Sequence, residues 1–216
     1  MTAFLFDMDG VIIDSTPMHV EAWRVYLQRM GRTAVDIGPR MLGKHNGELV
    51  RDFLSISERD EAAIHRHGAL KEQVYRDLMS PVLYQHLVPG IGEFLGRHAS
   101  SPMAIATNAE PANVDFVLNG ARLRRYFGAI VDGHTAPRPK PFPDIYLLAA
   151  DMLGVAPEDC VVFEDSLTGV QAGRSAGCRV VGVSTTLTEL PGVDLIIRDF
   201  LDPRLEPWLQ DLTVCR

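Results

Sequence analysis

From residue 103 onward, short and almost uninterrupted apolar runs alternate with longer stretches whose apolar residues recur every three or four positions. This alternation restricts the fold more than any other feature of the chain. The runs Met103–Thr107, Ala129–Asp132, Cys160–Phe163, Arg179–Val183 and Val193–Ile197 are too short for helices. They lack the polar alternation of a half-exposed strand, so each reads as a strand covered on both faces. Between them, Val114, Val117, Leu118 and Ala121 trace one helical face, and Ile145, Leu148, Ala149 and Met152 trace another. Ser166–Gly177 reads as a further helix. Right-handed crossovers turn such an order into an α/β fold, a parallel sheet with helices on both faces. Ligands of these sheets bind beyond the carboxyl ends of the strands.

The amino-terminal third has a different rhythm. Ala3-Phe4-Leu5-Phe6 is a buried strand ending at Asp7. From Thr16 the spacing of Val20, Trp23, Leu27 and Met30 predicts a helix with one buried stripe, which Gly31 stops. Gly47–Leu54 and Ser57–Met79 predict two more helices, the second starting at Ser57 with Asp60 and Glu61 nearby. Nothing between Asp14 and Val82 reads as a strand, so this segment is expected to be an all-helical insertion. Leu87-Val88-Pro89-Gly90 then turns the chain into a helix over Ile91–His98.

With 216 residues, the chain has the length of one sizeable domain carrying a modest insertion. It is 46% hydrophobic and 23% charged, which excludes a disordered or low-complexity protein. A net charge of -7 gives no broad electrostatic footprint for nucleic acid or an anionic membrane, and the apolar runs are far shorter than a bilayer span. Met1–Gly10 has no basic segment and meets two aspartates at once, unlike a signal peptide. Cys160, Cys178 and Cys215 form no CxxC pair and read as reduced thiols of a cytoplasmic protein, two of them packed in strands. No segment declares itself an interface, so a monomer or weak homo-oligomer is expected.

Chemistry-bearing residues collect at the strand ends. Asp7 and Asp9 follow the first strand in Phe6-Asp7-Met8-Asp9-Gly10, where period-two geometry sends both carboxylates toward one crevice and Gly10 permits a sharp turn. The second ends in Thr107-Asn108, a hydroxyl and an amide. Lys140 is displayed by a loop that Pro139 and Pro141 stiffen, and Glu164-Asp165-Ser166 tips the strand from Cys160. If these ends converge, the acids oppose one another's ionisation, and a hard divalent cation with oxygen ligands, Mg²⁺, relieves them. With Lys140 and Thr107 it would cradle a phosphoryl group. Asp7 would attack phosphorus, while Asp9 protonates the leaving oxygen and later activates water.

The set Asp7-Met8-Asp9-Gly10-Val11-Ile12, Thr107-Asn108, Lys140-Pro141 and Glu164-Asp165-Ser166-Leu167-Thr168-Gly169-Val170 resembles the four motifs of the haloacid dehalogenase superfamily, in order and over nearly the whole chain. The resemblance implies a Rossmann-like core at residues 1–14 and 81–216, with a small all-helical cap inserted after the first strand at 15–80. It implies Asp7 as nucleophile and Asp9 as general acid/base. The metal site would comprise the side chains of Asp7 and Asp165 and the carbonyl of Asp9, with Glu164 as an auxiliary acid. Thr107, Asn108 and Lys140 would bind phosphate. Asp9 argues against the dehalogenase branch, which resembles this pattern only at the nucleophile.

Within the superfamily, Asp9 to Ser15 followed by His19 is most similar to the branch of beta-phosphoglucomutase and small sugar-phosphate phosphatases. His19 matches a hinge-side histidine, and Lys71, four residues before Tyr75, matches a cap lysine that meets substrate. Gly43-Lys44-His45-Asn46 departs from the mutase pattern. Asn46 stands where the mutase holds a distal phosphate with arginine, and an amide cannot supply that bidentate fork. Lys44 or Arg51 would have to compensate. The expectation is therefore a Mg²⁺-dependent phosphatase of a small phosphorylated metabolite, with a phosphosugar mutase as the alternative.

Overall fold

The computed structural model describes residues 2–33, 36–41, 44 and 46–214; Gly43, His45 and Cys215 lie outside the described residues. The chain divides into two compact units, one made of residues 1–14 and 86–216 and the other of Ser15–Gln85.

In chain order the first unit contains β1 (Ala3–Phe6) and, in the second, α1 (Thr16–Arg29), α2 (Ile37–Met41), α3 (Asn46–Leu54) and α4 (Glu61–Met79). A 3-10 segment, Ser80–His86, returns the chain to the first unit. There follow α5 (Ile91–Arg97), β2 (Met103–Ala106), α6 (Pro111–Gly120), β3 (Ala129–Val131), α7 (Asp144–Leu153), β4 (Cys160–Glu164), α8 (Leu167–Ser175), β5 (Arg179–Val183), β6 (Leu195–Ile197) and α9 (Leu205–Val214).

The six strands form one parallel sheet in the order β3-β2-β1-β4-β5-β6. The order reverses between β1 and β4, and Phe6 pairs with Phe163, so the residues that follow these two strands emerge side by side. Side chains along β1 alternate between two interiors. Ala3 and Leu5 join Ile145 and Ala149 of α7 and Ala172 of α8 in one apolar cluster. Phe4 and Phe6 enter an aromatic cluster on the other side. Phe6 stacks on Phe163 with centroids 4.9 Å apart, and Phe94 of α5 packs edge-on against Phe4 at 5.6 Å and Phe163 at 5.4 Å. This double coverage is the reason the strands are apolar throughout.

Past β1 the chain turns tightly: the amides of Val11, Ile12 and Ile13 all approach the carbonyl of Met8, and Gly10 takes a φ of +75°. Where this segment leaves the unit and where it re-enters are clipped together, Asp14 N–H donating to His86 O at 2.8 Å and Val88 N–H to Ile12 O at 3.1 Å.

In the helical unit, α1 packs on α4 and α2, and α4 packs on α3. No strand occurs there among the described residues. Three expectations need correction. The buried face of α1 consists of Ala22, Trp23, Tyr26 and Leu27, while Val20 is half-buried and Met30 is exposed, because neighbours on more than one side widen and rotate the stripe. The helix expected from Ser57 starts at Glu61, where the Asp60 carboxylate accepts from Ala63 N–H at 3.0 Å and satisfies a free amide of the first turn. On α7 the buried set is Ile145, Tyr146, Ala149 and Ala150; Met152 is exposed. Tyr146 turns inward to serve a carboxylate at the strand ends. Both described cysteines are buried thiols outside any disulfide, Cys160 opening β4 and Cys178 immediately preceding β5. No described helix is long and apolar enough to cross a membrane.

Candidate active site at the ends of β1 and β4

Asp7 and Glu164 end neighbouring strands, and Asp7 N–H donates to Phe163 O at 3.0 Å, continuing the ladder to the edge of the crevice. Lys140, 4% exposed, lies between them, donating to Asp7 Oδ1 at 2.9 Å and to Glu164 Oε1 at 2.5 Å. Its main-chain N–H donates to Asn108 Oδ1 at 3.3 Å, so the amide after β2 helps hold the lysine loop. Thr107 is buried, and its hydroxyl oxygen accepts from Ala109 N–H at 3.2 Å.

Glu164 is wholly buried and takes five donors. Lys140 and Tyr146 Oη (2.8 Å) serve Oε1; the N–H groups of Asp165 (3.0 Å) and Ser166 (3.1 Å) and the Ser166 hydroxyl (3.0 Å) serve Oε2. Ser166 also caps α8, its hydroxyl accepting from Gly169 N–H at 3.1 Å. A methyl group on Gly169 would overlap the Glu164 carboxylate, which explains the glycine there. With both oxygens engaged, Glu164 serves as the anchor of Lys140.

Asp165 is buried, and its Oδ2 accepts from the Thr186 hydroxyl just past β5. The carboxylate presses on Gly10 so closely that a Cβ there would collide with it.

Asp7, Glu164 and Asp165 each present an oxygen within 4.8 Å of the others. Burial, reinforced by Glu164 and Asp9 and opposed by Lys140, pushes the Asp7 carboxyl up to about 7. Burial, then Glu164 and Asp7, also pushes Asp165 well above the carboxylate range. Lys140 goes the other way: burial alone would lower it, but Asp7 and Glu164 outweigh burial and hold it firmly charged. Three buried carboxylates with one buried ammonium leave an excess of negative charge among oxygen-only donors, an arrangement that fits a hard divalent cation.

The expected residues of the helical unit have other partners. His19 stacks on Tyr75 with centroids 3.9 Å apart, and its Nδ1 lies 3.0 Å from Lys71 Nζ. Lys71 is 2% exposed and donates to Glu72 Oε1 at 2.6 Å. Lys44 is exposed and donates to Asp52 at 3.0 Å, beside Arg40, which donates to the same carboxylate at 2.7 Å. Asn46 begins α3, with its Oδ1 buried and lacking a hydrogen-bond partner among the described residues.

Tyr146, Thr185 and Thr186 contribute to the site but are not among the residues singled out by the sequence. The strand-end rule points to Thr185 and Thr186, which follow β5. Tyr146 gives no such signal, since a tyrosine in a helix reads as packing.

The family model for haloacid dehalogenase-like hydrolases matches residues 1–177. The chain belongs to this family. It is 37% identical to a fructose-1-phosphate phosphatase of Escherichia coli over 182 residues, 83% of this chain and 94% of the relative. To a beta-phosphoglucomutase of Bacillus subtilis it is 33% identical over 216 residues, 95% of this chain and 93% of the relative. Among solved structures, a beta-phosphoglucomutase from Clostridium difficile superposes with a TM-score of 0.84 at 26% identity, each chain covered completely. As a member of this family the chain is an enzyme, and both kinds of named relative act on phosphate esters of sugars.

Proposed function

We propose that this enzyme is a Mg²⁺-dependent phosphatase that hydrolyses a small phosphorylated metabolite, a sugar phosphate, through an aspartyl-phosphate on Asp7, in the cytoplasm. The observation that carries the reading is the Asp7–Lys140–Glu164 array at the point where the strand order reverses: a carboxylate at a strand end, held by a buried ammonium that a second, fully hydrogen-bonded carboxylate fixes.

Asp7, Asp165 and the Asp9 carbonyl would hold the cation, whose chemistry is to draw charge from the phosphoryl oxygens. Lys140, Thr107 and Asn108 bind and orient the phosphoryl group. An Asp7 oxygen attacks phosphorus, forming the acyl phosphate as the ester P–O bond breaks, and Asp9 gives its proton to the departing alkoxide. Once the alcohol has left, Asp9 takes a proton from water as that water attacks phosphorus, which frees Asp7 and inorganic phosphate. His19, Lys44, Asn46 and Lys71 belong to the proposal as substrate-binding residues of the helical unit.

The test is phosphate release over a panel of sugar phosphates, with Mg²⁺ and with chelator, together with mass spectrometry of acid-quenched enzyme for one phosphoryl group on the Asp7 peptide. Unmodified Asp7 under turnover, or hydrolysis undiminished by chelation, would refute the mechanism.

The second reading, a phosphosugar mutase, is favoured by the likeness to beta-phosphoglucomutases over nearly the whole chain. Asn46 opposes it, because a bisphosphate has two anionic ends to hold. Incubation with beta-glucose 1-phosphate, Mg²⁺ and a trace of glucose 1,6-bisphosphate separates the two: dominant phosphate release supports the phosphatase, dominant glucose 6-phosphate the mutase.

A further inference from the structure

The end of β5 takes no part in the chemistry described above, yet it binds both loops that do. Thr185 Oγ1 donates to the carbonyl of Gly10 at 2.6 Å, reaching past β4 to the turn that follows β1. The next residue, Thr186, donates to Asp165 Oδ2 at the end of β4. Gly10 and Asp165 are themselves in contact, with no room for a Cβ between them. Two consecutive hydroxyls thus fix the Asp9–Gly10 turn and the Asp165 carboxylate against each other.

We infer that Thr186 is a positioning residue for metal binding, holding Asp165 in the one rotation about its Cβ–Cγ bond that leaves an oxygen for the cation. Resting on the proposed Mg²⁺-dependent function, this deepens it. A carboxylate whose χ angle is locked loses less entropy on ligation than a free one, and hydrogen bonds of this kind sustain metal affinity. A hydroxyl suits the task better than an ammonium: it orients the acid without cancelling the charge that attracts the cation. Gly10 supplies the steric half of the lock, and Thr185 keeps Gly10 in place.

The experiment is calorimetric titration of the metal-free protein with Mg²⁺, for wild type, Thr186→Val and Thr186→Ser. Valine keeps the shape and removes the donor, whereas serine keeps the donor. Mg²⁺ affinity should fall about 10- to 100-fold in Thr186→Val and recover in Thr186→Ser. At saturating Mg²⁺ the KM for substrate should stay near the wild-type value, and the Tm of the metal-free protein should fall by only a few degrees, the cost of one lost buried hydrogen bond. Equal Mg²⁺ affinity in the valine variant and wild type would overturn the inference while leaving the phosphatase reading intact. Failure of wild type to bind Mg²⁺ would overturn both. Should Thr186→Val fold poorly, Thr186→Ala is compared with Thr186→Ser in its place, and equal affinities would again overturn it.

Discussion

Lys140 Nζ and Glu164 Oε1 are 2.5 Å apart in an interior where both side chains are almost completely shielded from water. Of the five donors on Glu164, this is the one that carries a charge, and the same ammonium holds Asp7. Removing one partner from a buried pair strands the other charge, at a cost of about 3–5 kcal/mol. Lys140→Met should therefore lower unfolding free energy in urea by about that amount, and in the proposed reaction reduce kcat by about 10²–10³-fold. Lys140→Arg should not restore turnover, because a planar fork cannot occupy the site of a point ammonium.

Gly169 and Gly92 make a contrasting pair. A Cβ on Gly169 overlaps the Glu164 carboxylate, which five donors hold in place, so Gly169→Ala should destabilise by about 1–3 kcal/mol and impair turnover. A Cβ on Gly92, in α5, meets nothing within 4 Å, and Gly92→Ala should raise stability by about 0.5 kcal/mol with activity unchanged. Urea midpoints and initial rates check both.

Phe94 is fully buried and meets Phe4, Phe6, Phe163 and Phe200. Phe94→Ala should cost about 3–5 kcal/mol, measured by urea unfolding with an unchanged m-value, since the loss is a cavity in the core.

Asp7→Asn keeps the shape of the side chain and removes the proposed nucleophile, so under the proposed function kcat should fall below about one part in 10⁴ while the circular dichroism spectrum stays that of wild type. Phosphorylation of the Asp7 peptide should vanish with it.

Lys71 and Lys44 should separate in their effects. Lys71 is buried and paired with Glu72, so Lys71→Met should lower Tm clearly, losing about 3–5 kcal/mol as Glu72 is left buried. Lys44 is exposed, and Lys44→Ala should change stability by less than about 1 kcal/mol. Under the proposed function, Lys44→Ala and Asn46→Ala shift relative kcat/KM among sugar phosphates, which a substrate panel measures.

Much of the fold is legible in the chain's apolar pattern, because short fully apolar runs have few places to go: β1, β2, β4 and β5 lie within a residue of their expected bounds. Most helices are visible too, but α2 and α9 have no counterpart among the expected elements, and the buried faces are harder to place. For α1 the spacing singles out Val20 and Met30, whereas tertiary neighbours bury Ala22 and Tyr26 instead. Periodicity marks an apolar side, while the width and rotation of the buried stripe depend on what packs against it.

The amino-acid sequence by itself determined the parallel α/β class, the helical insertion and the acids at the strand ends, since each is written in local period and in residues adjacent to a strand. Only the tertiary structure decided which polar groups those acids would meet. A lysine in a proline-flanked loop and one in a long helix look alike as solvated residues, yet Lys140 and Lys71 are both buried, each beside a carboxylate. Lys140 reaches Asp7 across 133 positions, Thr185 reaches Gly10 across 175, and Thr186 reaches Asp165 from the neighbouring strand. A buried charge or hydroxyl is stable only through the partner it finds, and partners this distant are assigned by sheet order and register, which no local pattern encodes.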